Sequence, residues 1–286
     1  MGSGTWNTMA YTNYSKSVGR SVLDDGTLHA NYTAQDLFKS KRIQPELNPY
    51  KVVRQCCDSD EHPNTVPVIL ALDVTGSMGS AAAEVAKKLN EVMTKLYENV
   101  ADVEFLVMGI GDLAYDDAPI QASQFESDIR IAEQLDKIYF EGGGGGNGFE
   151  SYTAAWYFGL RHTNLDCWKR GKKGIIITMG DEPLNPYLPQ SRLSNVTGDN
   201  LQSNIETKEL YDAVTSKFDV YHLAVNDRET SYSWYESEIK KTFGKYFDDK
   251  HFFTVGLDNI SAAIVNIVTG AKNENVTETN SSEISW

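Results

Sequence analysis

The chain has 286 residues, 26 basic against 40 acidic for a formal net charge of −14, with 41% hydrophobic and 23% charged side chains. That length and balance fit a folded α/β protein with a sizeable core and exclude a disordered or fibrous one. The acids are spread along the chain and no basic stripe with interleaved aromatics exists, so nucleic acid is not an expected partner.

The N-terminal stretch "MGSGTWNTMAYTNYSKSVGR" has no apolar core of signal-peptide length, and the longest apolar runs are strand-sized, which excludes a membrane span of ordinary length. Adjacent Cys56 and Cys57 and distant Cys167 form neither a disulfide framework nor a zinc pattern and read as thiols of a reducing compartment. The expected location is the cytoplasm, where the sequons at Asn13, Asn31, Asn195, Asn275 and Asn280 carry no meaning.

Residues 1–64 read as an arm of irregular structure with one short helix, which the capping-box pattern "TAQD" at Thr33 to Asp36 starts. Residues 65–270 alternate in the βα manner. "VPVILALD" is a near-continuous apolar strand, as expected when helices cover both faces, and "SAAAEVAKKLNEVMTKLYEN" puts Val85, Leu89, Val92, Met93 and Leu96 on one helical face. Strands follow at "DVEFLVMGIGD", at the edge segment "APIQASQF", at "KGIIITMGDEP", "FDVYHLAV" and "HFFTV", separated by helices that include "FESYTAAWYFGLRH" and "NISAAIVNIV". Residues 271–286 read as a flexible C-terminal tail. This order predicts an α/β fold with a doubly wound, mostly parallel sheet and helices on both faces, whose ligand site lies beyond the carboxyl ends of the strands.

Three segments fall on those ends. "DVTGSMG" offers the carboxylate of Asp73 and the hydroxyls of Thr75 and Ser77, "EGGGGGNGFES" runs from glycines into Glu150, and "ITMGDEP" ends a strand at Asp181. Three carboxylates and two hydroxyls in one crevice repel one another unless a cation joins them. Oxygen-only donors without His or Cys suit Mg²⁺, with Mn²⁺ or Ca²⁺ as alternatives, rather than zinc. The glycine run lacks the Gly-Lys-Ser/Thr of a phosphate loop. Asp112, Asp116 and Asp117 in "GDLAYDD" read as a solvated acidic loop, His162 and His222 as core or surface histidines, and Trp156, Tyr157 and Phe158 as core.

Asp73-Val74-Thr75-Gly76-Ser77 resembles the DxSxS or DxTxS motif of von Willebrand factor A (VWA) domains, the metal-ion-dependent adhesion site, and the strand-end Asp181 matches that family's third loop. The stretch from Gly142 to Glu150 resembles the Gly-rich, Asp-x-Pro-Glu loop of integrin β subunits and some bacterial members, with Asn147 and Phe149 at the Asp and Pro positions. The resemblance covers residues 65–270 and implies a Rossmann-like VWA fold of the intracellular bacterial or phage type. It implies a metal held by Asp73, Thr75, Ser77, Glu150 and Asp181, with Thr153 as the alternative second-loop ligand. It further implies a non-enzymatic role, in which the metal accepts an acidic residue of a partner protein, an AAA+ ATPase being one such partner in the family. Ser80 and Ala81 stand where integrin β domains place acids for an adjacent ion, so that second site is not expected.

Two other functions compete. A haloacid-dehalogenase-like phosphatase would begin as "LALDVTGS" does, but Thr75 occupies the position of its second Asp. A self-assembling scaffold would dock its Tyr-rich N-terminal arm on a neighbouring copy.

Overall fold

The computed structural model describes residues 4–142, 146, 148–226 and 233–270. Gly143 to Gly145, Asn147 and the expected tail over 271–286 lie outside the described residues.

The arm carries helices α1 (Thr8–Ser17) and α2 (Ala34–Leu37) and strand β1 (Arg54–Cys56). The core opens with β2 (Val66–Asp73), then α3 (Gly79–Lys87), α4 (Leu89–Asn99), β3 (Val103–Ile110), β4 (Ile120–Ala122) and α5 (Arg130–Leu135). There follow α6 (Thr153–Arg161), β5 (Thr163–Leu165), β6 (Gly174–Gly180), β7 (Tyr187–Leu188), α7 (Gln190–Thr197), β8 (Ile205–Glu206) and α8 (Thr207–Val214). The described chain closes with β9 (Phe218–Val225), α9 (Ser233–Phe243), β10 (Phe252–Val255) and α10 (Ile260–Thr269).

The main sheet has six strands in the order β10-β9-β6-β2-β3-β4, parallel except for the antiparallel edge strand β4. Alternation along β2 sorts the core into two layers. Val68, Leu70 and Leu72 face α3, α4, α5, α10 and the arm, while Ile69 and Ala71 face α6, α8 and α9. The fold is therefore the doubly wound α/β arrangement expected. Chain order reverses between β2 and β6, and the carboxyl ends of those two strands carry Asp73 and Gly180. A crevice at such a reversal is where open α/β sheets bind ligands.

Three local departures matter. The single helix expected over 80–99 divides at Lys88, although Lys88 N–H still donates to Glu84 O and Val92 N–H to Lys88 O, so the ladder bends without breaking. Glu84 holds both Lys87 and Lys88 at 2.9 Å there. The arm holds the ten-residue α1, which the irregular segment did not suggest, and its Trp6, Tyr11, Leu28, Leu37, Phe38 and Leu47 are buried in the same layer as α3 and α4. Short strands β1 and β5 pair outside the main sheet, as do β7 and β8.

Candidate functional site

Asp73 is the last residue of β2 and is wholly buried. Its Oδ1 accepts from the Thr75 amide at 2.9 Å and the Thr75 hydroxyl at 2.5 Å, and its Oδ2 accepts from the Tyr152 hydroxyl at 2.8 Å. Tyr152 and the turn after β2 together cover Asp73. Thr75 is also buried, whereas Gly76 and Ser77 are exposed. A single turn of 3-10 helix at Gly76–Met78 carries Ser77, whose hydroxyl donates to Asp181 Oδ1 at 3.0 Å. The first and third loops therefore meet through side chains.

The second loop is fixed at both ends. Gly142 N–H donates to Val74 O at 3.4 Å, and Glu150 forms an isolated parallel bridge with Leu184, three residues beyond Asp181. Glu150 is buried, and its Oε2 has no hydrogen-bond partner among the described residues. Thr153, the alternative ligand, is buried with its hydroxyl accepting from Asn185 Nδ2 at 2.6 Å. It serves the loop after β6.

Electrostatics agree with this crowding. Burial pushes the Asp73 and Glu150 carboxyls well above the usual carboxylate range, and each site's neighbours, Asp181 for Asp73 and Asp73 for Glu150, push further. Glu182 rises to about 8 through burial and the charges of Asp181 and Asp73, and its Oε2 also has no hydrogen-bond partner among the described residues. Asp112 and Asp116, expected on a solvated loop, are buried and add to the pressure on Glu150. Asp116 Oδ2 accepts from Asp112 N–H at 2.7 Å, in space that a Cβ at Gly111 would fill, since that atom would stand 2.2 Å from the same oxygen.

Tyr152 is the component that sequence reasoning missed. It lies just before α6, is wholly buried, and its hydroxyl both donates to Asp73 and accepts from Glu182 N–H at 3.1 Å. Burial and the surrounding carboxylates hold its phenol well above its ordinary value, so it remains a donor. An added Cβ on Gly180 would stand 1.9 Å from its oxygen, so only glycine at the end of β6 lets the phenol through. Tyr152 thereby joins the ends of β2 and β6.

No family model matches the chain, and no curated protein matches it in sequence. Among solved structures, the pilus adhesin SpaC from Lactobacillus rhamnosus GG, in its open conformation, aligns with a TM-score of 0.50 at 14% identity, over 77% of this chain and 31% of SpaC. That is a likeness of fold. The chain spans about a third of the length of SpaC, as the 31% coverage states. The vWF domain of the type V pili tip protein Mfa5 from Porphyromonas gingivalis aligns at 0.41 and 14% identity, over 76% of this chain and 98% of that one. Proximal thread matrix protein 1 from the mussel byssus aligns at 0.45 and 10% identity, over 74% of this chain and 48% of that one.

The donor set fits a hard cation, since every candidate ligand is oxygen. Among the described residues no three His, Cys, Asp or Glu side chains stand close enough together to hold a metal by themselves. Asp73 and Asp181 each accept from a hydroxyl, of Thr75 and Ser77 respectively. A hydroxyl that gives its proton to a carboxylate keeps its lone pairs for another partner, so Thr75 and Ser77 are presented as neutral donors. No helix among the described residues is long and apolar enough to cross a membrane.

Proposed function

We propose that the chain is a non-enzymatic, metal-dependent protein-binding module of VWA type, in which Mg²⁺, or Mn²⁺ or Ca²⁺, is held by Asp73, Thr75, Ser77, Glu150 and Asp181. The observation that carries this reading is Glu150, a carboxylate with an oxygen unpartnered among the described residues, its carboxyl raised by burial and then by the charge of Asp73. Buried like charges are costly, and a bound cation inverts that balance.

Thr75 and Ser77 supply neutral oxygens, Glu150 supplies charge, and Asp73 and Asp181 orient the hydroxyls from behind. Tyr152 and Gly180 keep Asp73 in place. The cation supplies a coordination position for an anionic oxygen, and Ser77, exposed beside Gly76, turns that position toward solvent. A partner is recognised by an accessible Asp or Glu side chain, and an AAA+ ATPase is one partner of that description. Three free thiols favour a cytoplasmic setting. The phosphatase reading lacks its second acid at Thr75. The scaffold reading keeps the exposed Met9, Tyr50 and Val53 of the arm, while Trp6, Tyr11, Leu37 and Phe38 are already buried in this chain's own core.

The test is calorimetric titration of EDTA-stripped protein with Mg²⁺ and Mn²⁺. One site is expected, with affinity reduced about ten-fold or more in Ser77→Ala and lost in Asp73→Asn. Wild-type protein that binds neither ion overturns the reading, and so does unchanged affinity in Ser77→Ala.

A further inference from the structure

A groove of about 660 Å³ opens beside Ser77 and follows α3. Its lining includes Gly76, Ser77 and Lys87 on one side, Tyr32 of the arm and Phe140 on the other, and Leu257 in the turn before α10. The arm is seated directly on α3. An added Cβ on Gly79 would lie 3.8 Å from Ala34 and 4.0 Å from Phe140, ordinary contact distances.

Tyr32, Phe140 and Leu257 are each half-buried, packed on the core on one side with the rest of the ring or side chain left to the groove. The cation that lines it, Lys87, is already engaged by Glu84 at 2.9 Å and by Ala30 O at 3.3 Å. The groove therefore offers the apolar faces of Tyr32, Phe140 and Leu257 among the polar groups of Thr33, Gln35, Ser80 and Glu84, with the hydroxyl of Ser77 at one end. The nine residues of α3 span about 13 Å, the length of about four extended residues. An occupant of matching chemistry is an extended stretch with one carboxylate followed by apolar side chains.

The chain contains such a stretch in Glu283-Ile284-Ser285-Trp286, which lies outside the described residues. Its tether begins at Gly270, where α10 ends, and Leu257 lies just before α10 begins. The ten residues of α10 put about 15 Å between that root and the groove. The thirteen residues from Gly270 to Glu283 can reach at most about 45 Å, so the groove lies within their span.

We propose that this groove is the docking site of the chain's own segment Glu283 to Trp286. The Glu283 carboxylate takes the coordination position assigned above to a partner's acid, and Ile284 and Trp286 lie against Tyr32, Phe140 and Leu257. The inference rests on the metal-dependent reading of the Ser77 site. A partner must then displace the tail before it can bind.

The test uses a fluorescein-labelled peptide of residues 271–286, titrated into the full chain and its Glu283→Gln variant, in Mg²⁺ and in EDTA. The variant, whose own tail cannot coordinate, is expected to bind the peptide about ten-fold or more tighter than wild type, with binding lost in EDTA. Adding Ser80→Trp, at an exposed position in the lining, should fill the groove and weaken peptide binding by about ten-fold or more. Equal affinity for wild type and Glu283→Gln, binding that persists in EDTA, or binding unaffected by Ser80→Trp overturns the proposal. A normal Mg²⁺ titration with no peptide binding overturns it and leaves the metal reading standing; absence of Mg²⁺ binding overturns both. A Mg²⁺-dependent oligomer of the wild type, seen by sedimentation, would place the tail on a neighbouring copy and overturn docking within one chain.

Discussion

Tyr152 joins three parts of the site with one oxygen, which makes it the sharpest probe of how Asp73 is held. Tyr152→Phe keeps the ring and its packing 5.0 Å from His222 and 6.0 Å from Phe243, but leaves Asp73 Oδ2 and the Glu182 amide without their partner. A buried acceptor stripped of its donor costs about 1–3 kcal/mol. We expect the variant to lose stability of that order in urea unfolding, and to lose less of it when combined with Asp73→Asn, because the two residues share the bond. Strictly additive losses would show that Tyr152 acts through packing alone. Asp73, Thr75, Ser77 and Asp181 are legible in the sequence because a carboxylate directly after an apolar strand has few reasons to be there. Tyr152 is not legible, since a tyrosine ahead of Ala154, Ala155, Trp156 and Phe158 looks like one more core aromatic. The only signal is the demand at Gly180, and that becomes a demand only when the two strand ends are side by side.

Among the elements, the parallel strands are the most readable part of the fold. β2, β3, β6 and β9 are covered on both faces, so their buried runs are continuous. Helix α1 escapes notice for the opposite reason. Within it only Tyr11 and Ser15 are buried, and its start depends on the Asn7 side chain accepting from Ala10 N–H at 3.0 Å. Contacts distant in sequence hold the arm instead: Trp6 Nε1 donates to Asn90 Oδ1 at 3.0 Å, and Arg20 donates to Asp136 Oδ1 at 2.8 Å and to Leu37 O at 2.9 Å. Arg20 thus ties the turn after α1 to the end of α5 and to α2, the helix that begins behind the groove wall at Tyr32. Tyr14 donates to the other oxygen of Asp136 at 2.7 Å. Removing the guanidinium leaves the phenol as that carboxylate's remaining hydrogen-bond donor among the described residues, and breaking a buried pair from one side costs about 3–5 kcal/mol. Because Asp136 retains 17% side-chain exposure, we expect Arg20→Ala to fall at the lower end of that range. A chemical denaturation curve that hardly moves would show the arm to be an accessory to the fold.

At the scale of the whole molecule, the buried acids set how stability responds to pH. Asp73, Glu150, Glu182, Asp116, Glu104 and Glu126 all have carboxyls raised by burial, so the folded state keeps protons that the unfolded chain has released. Stability from a raised group is present in full below the unfolded value and is lost as pH climbs through the folded one. His222 works the other way at lower pH. It is wholly buried against Phe243, and burial takes its pKa down to about 3, so the unfolded chain gains protons below about pH 6.5 and stability rises with pH up to that point. The informative interval is therefore from about pH 7 to about pH 8, where the unfolded histidine is neutral and Glu182, raised to about 8, is losing its proton. In EDTA, melting temperature should fall across that interval, since each carboxyl protonated only in the folded state contributes a slope of up to about 1.4 kcal/mol per pH unit. In excess Mg²⁺ the fall should flatten or reverse, because the cation competes with protons for Asp73 and Glu150 and offsets the charges of Asp181 and Asp73 that hold Glu182 up. Parallel melting curves in EDTA and Mg²⁺ across the interval would mean that the acids at the sheet's switch point do not hold an ion, and that their charge is borne by the fold unaided.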